Sequence, residues 1–243
     1  MSVVWPVFRM GVVDSTNTEA KRRAATPFAD QWIVAEQQTA GRGRQDKTWL
    51  SPAGNIYATA LFHEPGGIAT ALRVPFACAL AVSDVVLQFA RSADVRLKWP
   101  NDVRVARRKV SGILVETGGA EAGFWVAAGI GINVRVTPDN VSQPATSLIE
   151  LGATSDITAE AAFACLAAAF CSRLEQCRQG FAATRADWLD RAEALGDRVQ
   201  VRAGDSLLEG TFEDLEDDGA LLLRLPDGSC RSIRAGEVEI RGS

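Results

Sequence analysis

Four short segments hold cations, amides and glycines from which anion chemistry could be built. Gly41-Arg42-Gly43-Arg44, extended by Lys47, interleaves glycine with positive charge. Glycine lets a backbone come close to an anion, and guanidinium forks bind phosphate or carboxylate in a bidentate way. Read alone, this segment is equally a solvated basic loop or an arginine–glycine contact to RNA. Lys98-Trp99-Pro100-Asn101-Asp102 sets a lysine at a strand end, with an amide and a carboxylate just past a proline. On its own it reads as a tight turn with Lys98 in solvent. Lys109 leads into an apolar run in which Gly112 leaves room for a ligand against a sheet; a gatekeeper lysine is the plain alternative. Gly129-Ile130-Gly131-Ile132-Asn133 lacks the third glycine and following helix of a dinucleotide fingerprint, which argues against a Rossmann site. Its glycines imply close packing or a bulge.

Other chemistries have little to stand on. His63 is the single histidine, at the end of a strand-like run beside Glu64-Pro65. A Ser-His-Asp or Cys-His mechanism would rest on it alone, so it reads as an ordinary residue. The cysteines are Cys78, Cys165, Cys171, Cys177 and Cys230, an odd number with no CxxC pair, so neither a disulfide framework nor a zinc site is expected. Those in the Ala-rich helical stretch read as buried thiols acting as small hydrophobes.

The elements that must position these segments follow from periodicity and punctuation. Val3 to Val13 reads as a strand. Thr16 with Glu19 fits a capping box before a helix from Glu19 to Ala25. Trp32 to Glu36 is a strand, and Gln37 to Lys47, without apolar periodicity, a loop. Ile56 to Phe62 is a strand and Leu72 to Ala90 a helix. Val95 to Trp99 is a strand stopped by Pro100. Val110 to Glu116 and Phe124 to Asn133 are strands separated by Gly118-Gly119. Thr158 to Cys177 and Phe181 to Ala194 are helices. From Gly196 short strands alternate with turns at Gly204-Asp205, Asp218-Gly219 and Asp227-Gly228, the spacing of a five-stranded barrel. The expected domains are therefore 1–195 and 196–243.

The order of the four segments resembles the biotin protein ligase family. The resemblance rests on Ser15-Thr16-Asn17, on Gln38 with Ala40-Gly41-Arg42-Gly43-Arg44, and on Trp49 with Ser51-Pro52. It continues through Lys98-Trp99-Pro100-Asn101-Asp102, Lys109 with Gly112-Ile113-Leu114, and Gly129-Ile130-Gly131-Ile132-Asn133. It runs from about Val13 to the C-terminus, and the GRGR and KWPND segments are its specific parts. It implies an α+β fold: a mixed-sheet catalytic domain packed with helices, like class II aminoacyl-tRNA synthetases, and a small SH3-like C-terminal barrel.

The resemblance also implies a reaction. Biotin's carboxylate attacks the α-phosphate of ATP, and biotinyl-5'-AMP then passes its acyl group to a lysine of a biotin carboxyl carrier protein or domain. Two anions must be brought together, so the site has to supply positive charge and alignment. By resemblance Arg42 and Lys109 contact the reacting carboxylate and phosphate, and Asp102 orients the acceptor amine. Arg44 and Lys47 belong to a loop that orders over the adenylate. Ser15, Thr16, Asn17 and Gln38 sit at the ureido ring, and Gly41, Gly112, Gly129 and Gly131 line the biotin slot. Trp49, Lys98, Asn101 and Asn133 fall to the nucleotide, and magnesium would bridge the ATP phosphates. One departure stands out. Asp46 and Lys47 occupy positions where the family's loop has glycine and arginine, which should weaken loop closure and speed adenylate release.

Composition limits the alternatives. A net charge of -4 excludes a whole-molecule polyanion binder and counts against an RNA-binding module. Ser15-Thr16-Asn17 lies too near the N-terminus for a preceding helix-turn-helix, so no DNA binding is expected. Met1 to Met10 does not read as a signal peptide. No apolar run reads as a membrane span, since Val74 to Ala90 carries Pro75, Ser83, Asp84 and Gln88. A cytoplasmic enzyme is expected, and a homodimer is compatible with the resemblance. A lipoate or octanoate ligase shares the fold but differs in its anion loop. A non-catalytic paralogue is suggested by Asp46 and opposed by Arg42, Asp102 and Lys109.

Overall fold

The structure, a computed structural model, describes residues 5–120, 123–139, 141 and 143–240. Seven strands form one sheet: β1 (Val7–Val13), β2 (Gln31–Gln38), β3 (Ile56–His63), β4 (Val95–Lys98), β5 (Asp102–Val105), β6 (Arg108–Ala120) and β7 (Gly123–Ile132). Their order is β1-β2-β3-β7-β6-β5-β4. The β1–β2 pair is parallel and the others are antiparallel, so the sheet is mixed, as expected.

β3 is buried on both faces over most of its length, and such a strand needs a cover on each side. On one side α1 (Thr16–Ala24) presses Ala20 and Ala24 onto Ile33, Leu61 and Ala127. The other side carries α2 (Gly67–Ala71), α3 (Val74–Phe89), α4 (Ala159–Gln179) and α5 (Phe181–Asp190). There Trp5, Trp32, Phe62, Phe163 and Phe170 make edge-on and tilted ring contacts, the arrangement aromatic quadrupoles favour. Gly67–Phe89 is long and apolar enough to cross a membrane by length and composition, contrary to the sequence reading, but two thirds of its most apolar stretch is buried inside the protein.

Several boundaries differ for physical reasons. Val3 and Val4, expected to open the first strand, lie outside the described residues; Trp5 is core and Pro6 precedes β1. The capping box does not form. Ser15 is the N-cap of α1 without a side-chain cap bond, and Thr16 is already helical. Glu19 pairs with Arg22 and Arg23 instead. The turn expected at Pro100-Asn101-Asp102 leads into β5, a strand that the sequence pattern does not mark beyond Asp102. Gly118 and Gly119 do not end a strand but lie inside β6, and the hairpin reverses between Ala120 and Gly123. Gly118 faces Trp125 across the ladder. A Cβ on Gly118 would lie 2.4 Å from the indole, so the glycine makes room for a large partner.

Five more strands form a second, antiparallel sheet: β8 (Arg198–Ala203), β9 (Ser206–Leu215), β10 (Leu221–Arg224), β11 (Cys230–Ile233) and β12 (Glu237–Ile240). The order is β11-β10-β9-β8-β12. This sheet packs against the helices. Phe212 meets Trp188 at 6.4 Å, Trp99 Nε1 donates to Gly219 O at 3.1 Å, and Gly219 sits on the Phe76 ring.

Candidate active site

The four sequence segments meet in one pocket on the α1 side of the mixed sheet, together with the start of β12. Its floor is the antiparallel pairing of β6 with β7, where Gly112 lies opposite Gly131. Trp49 lies over this pair. A Cβ on Gly131 would come within 2.6 Å of its indole, and one on Gly112 within 2.9 Å. The glycines therefore open a trough that no side chain of their own could share. Next along β7, Gly129 leaves its space to Asn17, whose Oδ1 would lie 2.1 Å from a Cβ there.

The far end of the trough is a closed polar network. Thr16 donates through its backbone N–H and its hydroxyl to Gln38 Oε1, at 2.9 and 3.2 Å. Thr59, fully buried on β3, bonds Thr16 Oγ1 at 2.8 Å and Asn17 Oδ1 at 2.7 Å. Asn17 Nδ2 donates to Leu114 O and to Glu116 Oε2. Gln38 Nε2 donates to Ser51 Oγ, which donates to Trp49 O. Gly41 is buried against Trp49 O, with no room for a side chain. Ser15 completes the lining beside Asp14, which pairs with Arg22.

The near end is charged. Lys109 Nζ lies 2.6 Å from Asp102 Oδ1 and 5.5 Å from the Trp49 ring. The β4–β5 hairpin places Lys98 opposite Asp102, and burial brings the Lys98 ammonium below its usual range, partly offset by Asp102. Asn101 Nδ2 donates to Ile113 O at 2.8 Å. Arg44 reaches Asn101 Oδ1 at 3.5 Å and Gly236 O at 3.4 Å; burial lowers its guanidinium, with Asp102 and Glu237 opposing. Asn133 donates to Thr146 O. Its Oδ1 and the Trp49 Nε1 are buried with no hydrogen-bond partner among the described residues. Leaving such groups unpaired is costly, so a ligand able to bond them is favoured.

The loop from Gly41 to Trp49 bridges the two ends. Gly43 N donates to Lys47 O, Lys47 N to Arg44 O and Trp49 N to Gly41 O. Arg42 lines the pocket but pairs with Glu116 at 3.0 Å, rather than with the Lys109–Asp102 centre. Lys47 pairs with Glu237 at 2.7 Å. The left-handed backbone sits at Gln45, φ 52° and ψ 42°, one residue before Asp46. The side chain of Asp46 lies outside the described features.

Sequence reasoning missed Thr59, Glu116, Gly236 and Glu237. Burial raises the Glu116 carboxyl, but hydrogen bonds from Lys21 and Asn17 and the Arg42 charge hold it below its ordinary value. His63, by contrast, stacks on Phe28 and bonds Asp30 away from the pocket. Cys165 and Cys171 are half-buried rather than buried, and burial raises their thiols, as it raises Cys177 to about 11.

A mixed sheet thus carries a glycine-floored trough with a hydrogen-bonded polar network at one end and a cluster of lysine and arginine side chains at the other. The profile of the biotin/lipoate A/B protein ligase family matches residues 10–133, and that of the biotin protein ligase C-terminal domain matches residues 194–241. The chain belongs to the biotin/lipoate A/B protein ligase family. It is 38% identical over 242 residues to the biotin--[acetyl-CoA-carboxylase] ligase of Paracoccus denitrificans, covering 94% of this chain and 98% of that protein. It is 32% identical to the bifunctional ligase/repressor BirA of Escherichia coli, covering 96% of this chain and 73% of the relative. Among solved structures it matches the biotin protein ligase from Aquifex aeolicus in complex with biotin and ATP. That match has a TM-score of 0.81 at 27% identity and covers 98% of this chain and 99% of the other.

Proposed function

We infer that the chain is a biotin protein ligase, which forms biotinyl-5'-AMP from biotin and ATP and then biotinylates a lysine of a biotin carboxyl carrier protein or domain. The observation that carries this reading is the Lys109–Asp102 pair at the mouth of the glycine trough, with Arg44 and Lys98 beside it.

In the first step a biotin carboxylate oxygen bonds to the α-phosphorus of ATP, and the bond to the β-phosphate oxygen breaks, releasing pyrophosphate. Lys109 is the cation aimed at the developing charge. Arg44 and Lys98 screen the approach of the two anions, and Arg42 joins them on exchanging Glu116 for substrate. Thr16, Asn17, Gln38 and Ser15 supply donors and acceptors for the ureido head, while the backbones at Gly112, Gly129, Gly131 and Gly41 admit the fused rings. Trp49 walls the trough from the nucleotide, and its free Nε1 and the free Oδ1 of Asn133 suit an aromatic base carrying both acceptors and an amino group. Asn101 and Lys47 hold the nucleotide side.

In the second step a neutral lysine amine attacks the acyl carbon, AMP leaves, and the amine sheds a proton. Asp102 orients that amine. Among the described residues no cluster of acidic, histidine or cysteine side chains could hold a metal. Lysine and arginine side chains do not ligate a cation, so magnesium would be held by the ATP phosphates themselves, where it would neutralise part of their charge. The proposed enzyme is cytoplasmic and its partners are carrier domains; the net charge of -4 counts against nucleic acid as a partner.

Biotin-dependent exchange of pyrophosphate into ATP tests the reading. Exchange supported by biotin, and poorly by lipoate or octanoate, is expected; better exchange with lipoate or octanoate would overturn the substrate assignment.

A further inference from the structure

We propose that Glu237, carried by the small sheet, is a positioning residue that latches the Gly41–Trp49 loop shut over the pocket. This deepens the biotin ligase reading and rests on it for its kinetic readout.

The internal bonds of the loop fix its shape but not its place. Its place depends on contacts to other elements, and two of these land on Gly236 and Glu237, where β12 begins. Arg44 Nη1 donates to Gly236 O at 3.4 Å, and Lys47 Nζ donates to Glu237 Oε2 at 2.7 Å. The other carboxylate oxygen of Glu237 accepts from Gln143 Nε2 at 3.1 Å. One carboxylate therefore ties the loop, the segment after β7 and the small sheet together.

The anchor belongs to a sheet. Glu237 pairs with Arg202 in the β12–β8 ladder. Just before β12, a Cβ on Gly236 would lie 2.6 Å from the Arg202 carbonyl oxygen, so the glycine lets the chain pass close to β8. Charge favours the latch as well. Burial raises the Glu237 carboxyl, but Lys47, Lys98 and Lys109 outweigh it and hold the group ionised below its ordinary range.

Glu116, at the other end of the loop, is a different case. It is already bonded by Asn17 and Lys21, so it stays satisfied when Arg42 swings towards substrate. Lys47 is held from Glu237. The pair is partly exposed, at 50% and 29% for the two side chains, and exposed pairs contribute modestly. Its loss should therefore loosen the loop several-fold rather than abolish closure. A closed loop keeps water from the mixed anhydride and slows its escape, so retention of the adenylate would depend on a residue about 190 positions from the loop.

The test compares the parent with Glu237→Gln, Lys47→Glu and the reversed pair Lys47→Glu/Glu237→Lys. Trypsin can cut the loop after Arg42 and Arg44 in all four, without any ligand. Glu237→Gln, nearly isosteric and keeping the β12 ladder, is expected to raise cleavage there by about 3- to 5-fold with an unchanged thermal midpoint. The reversed pair should restore protection. With biotin and MgATP, biotinyl-AMP should leave Glu237→Gln faster by a similar factor, read by stopped-flow tryptophan fluorescence. Cleavage of Glu237→Gln at the parent rate, or a reversed pair no better protected than the single variants, would overturn the latch. Absence of pyrophosphate exchange in the parent would sink the ligase reading while leaving the ligand-free proteolysis as a test of the latch.

Discussion

Lys109 and Asp102 come from separate sequence segments, yet they meet at 2.6 Å because β5 and β6 are neighbours in the sheet. Unliganded, each neutralises the other; a bound carboxylate and phosphate would compete for Lys109. Lys109→Ala should cut biotin-dependent pyrophosphate exchange by ~10²–10³, the usual cost of removing one group aimed at developing charge. Near-normal exchange would remove Lys109 from the chemistry. These two residues, with Lys98 and Asn101, were legible in the sequence because each sits in a short segment of unusual composition. Arg42 was legible as a pocket residue but not as a partner of Glu116. Thr59, Glu116 and Glu237 were not legible at all. Their partners Asn17, Arg42 and Lys47 lie 42, 74 and 190 positions away, and nothing local marks a threonine in an apolar strand or a glutamate in a β-branched run.

Helices α3 and α4 and strands β3 and β7 could be read from periodicity, since each is long and strongly apolar. The failures were elements whose form depends on a distant neighbour. Gly118 looked like a turn until the ladder set it opposite Trp125. Thr16 looked like a cap, but its hydroxyl belongs to Gln38 and Thr59. The loop departure also moves: the backbone angle that favours glycine falls at Gln45, not at Asp46. The trough is the element on which the proposed biotin binding depends, and its glycines can be tested without touching a charge. Gly131→Val would drive its side chain into the Trp49 indole. Biotin affinity should fall roughly ten- to hundredfold, equivalent to the ~1–3 kcal/mol of an overpacked site. Calorimetric titration measures it, with circular dichroism to check that the sheet persists. Unchanged affinity would mean that biotin does not use this trough.

The two sheets share one core, which runs from Trp5 and Phe170 through Trp188 to Phe212 and Leu223. Joined in this way, they should unfold together: near-ultraviolet dichroism, which reports side-chain packing, and far-ultraviolet dichroism, which reports backbone, should show coincident thermal transitions. A separate early transition that 1–195 alone lacks would show the small sheet to be an independent unit. The sequence indicated the change of character at Gly196, where turn signals begin to recur. It could not show that β12 brings Gly236 and Glu237 back to the pocket, because that depends on how the two sheets pack. On the function proposed above, the whole molecule joins a carboxylate to a lysine through an adenylate. The most direct test of that claim is the intact mass of a biotin carboxyl carrier domain after incubation with the protein, biotin and MgATP. The account predicts the mass increase of one biotinyl group on a single lysine, lost when ATP is omitted. A carrier domain of unchanged mass, under conditions where the protein is folded and binds biotin, would contradict it.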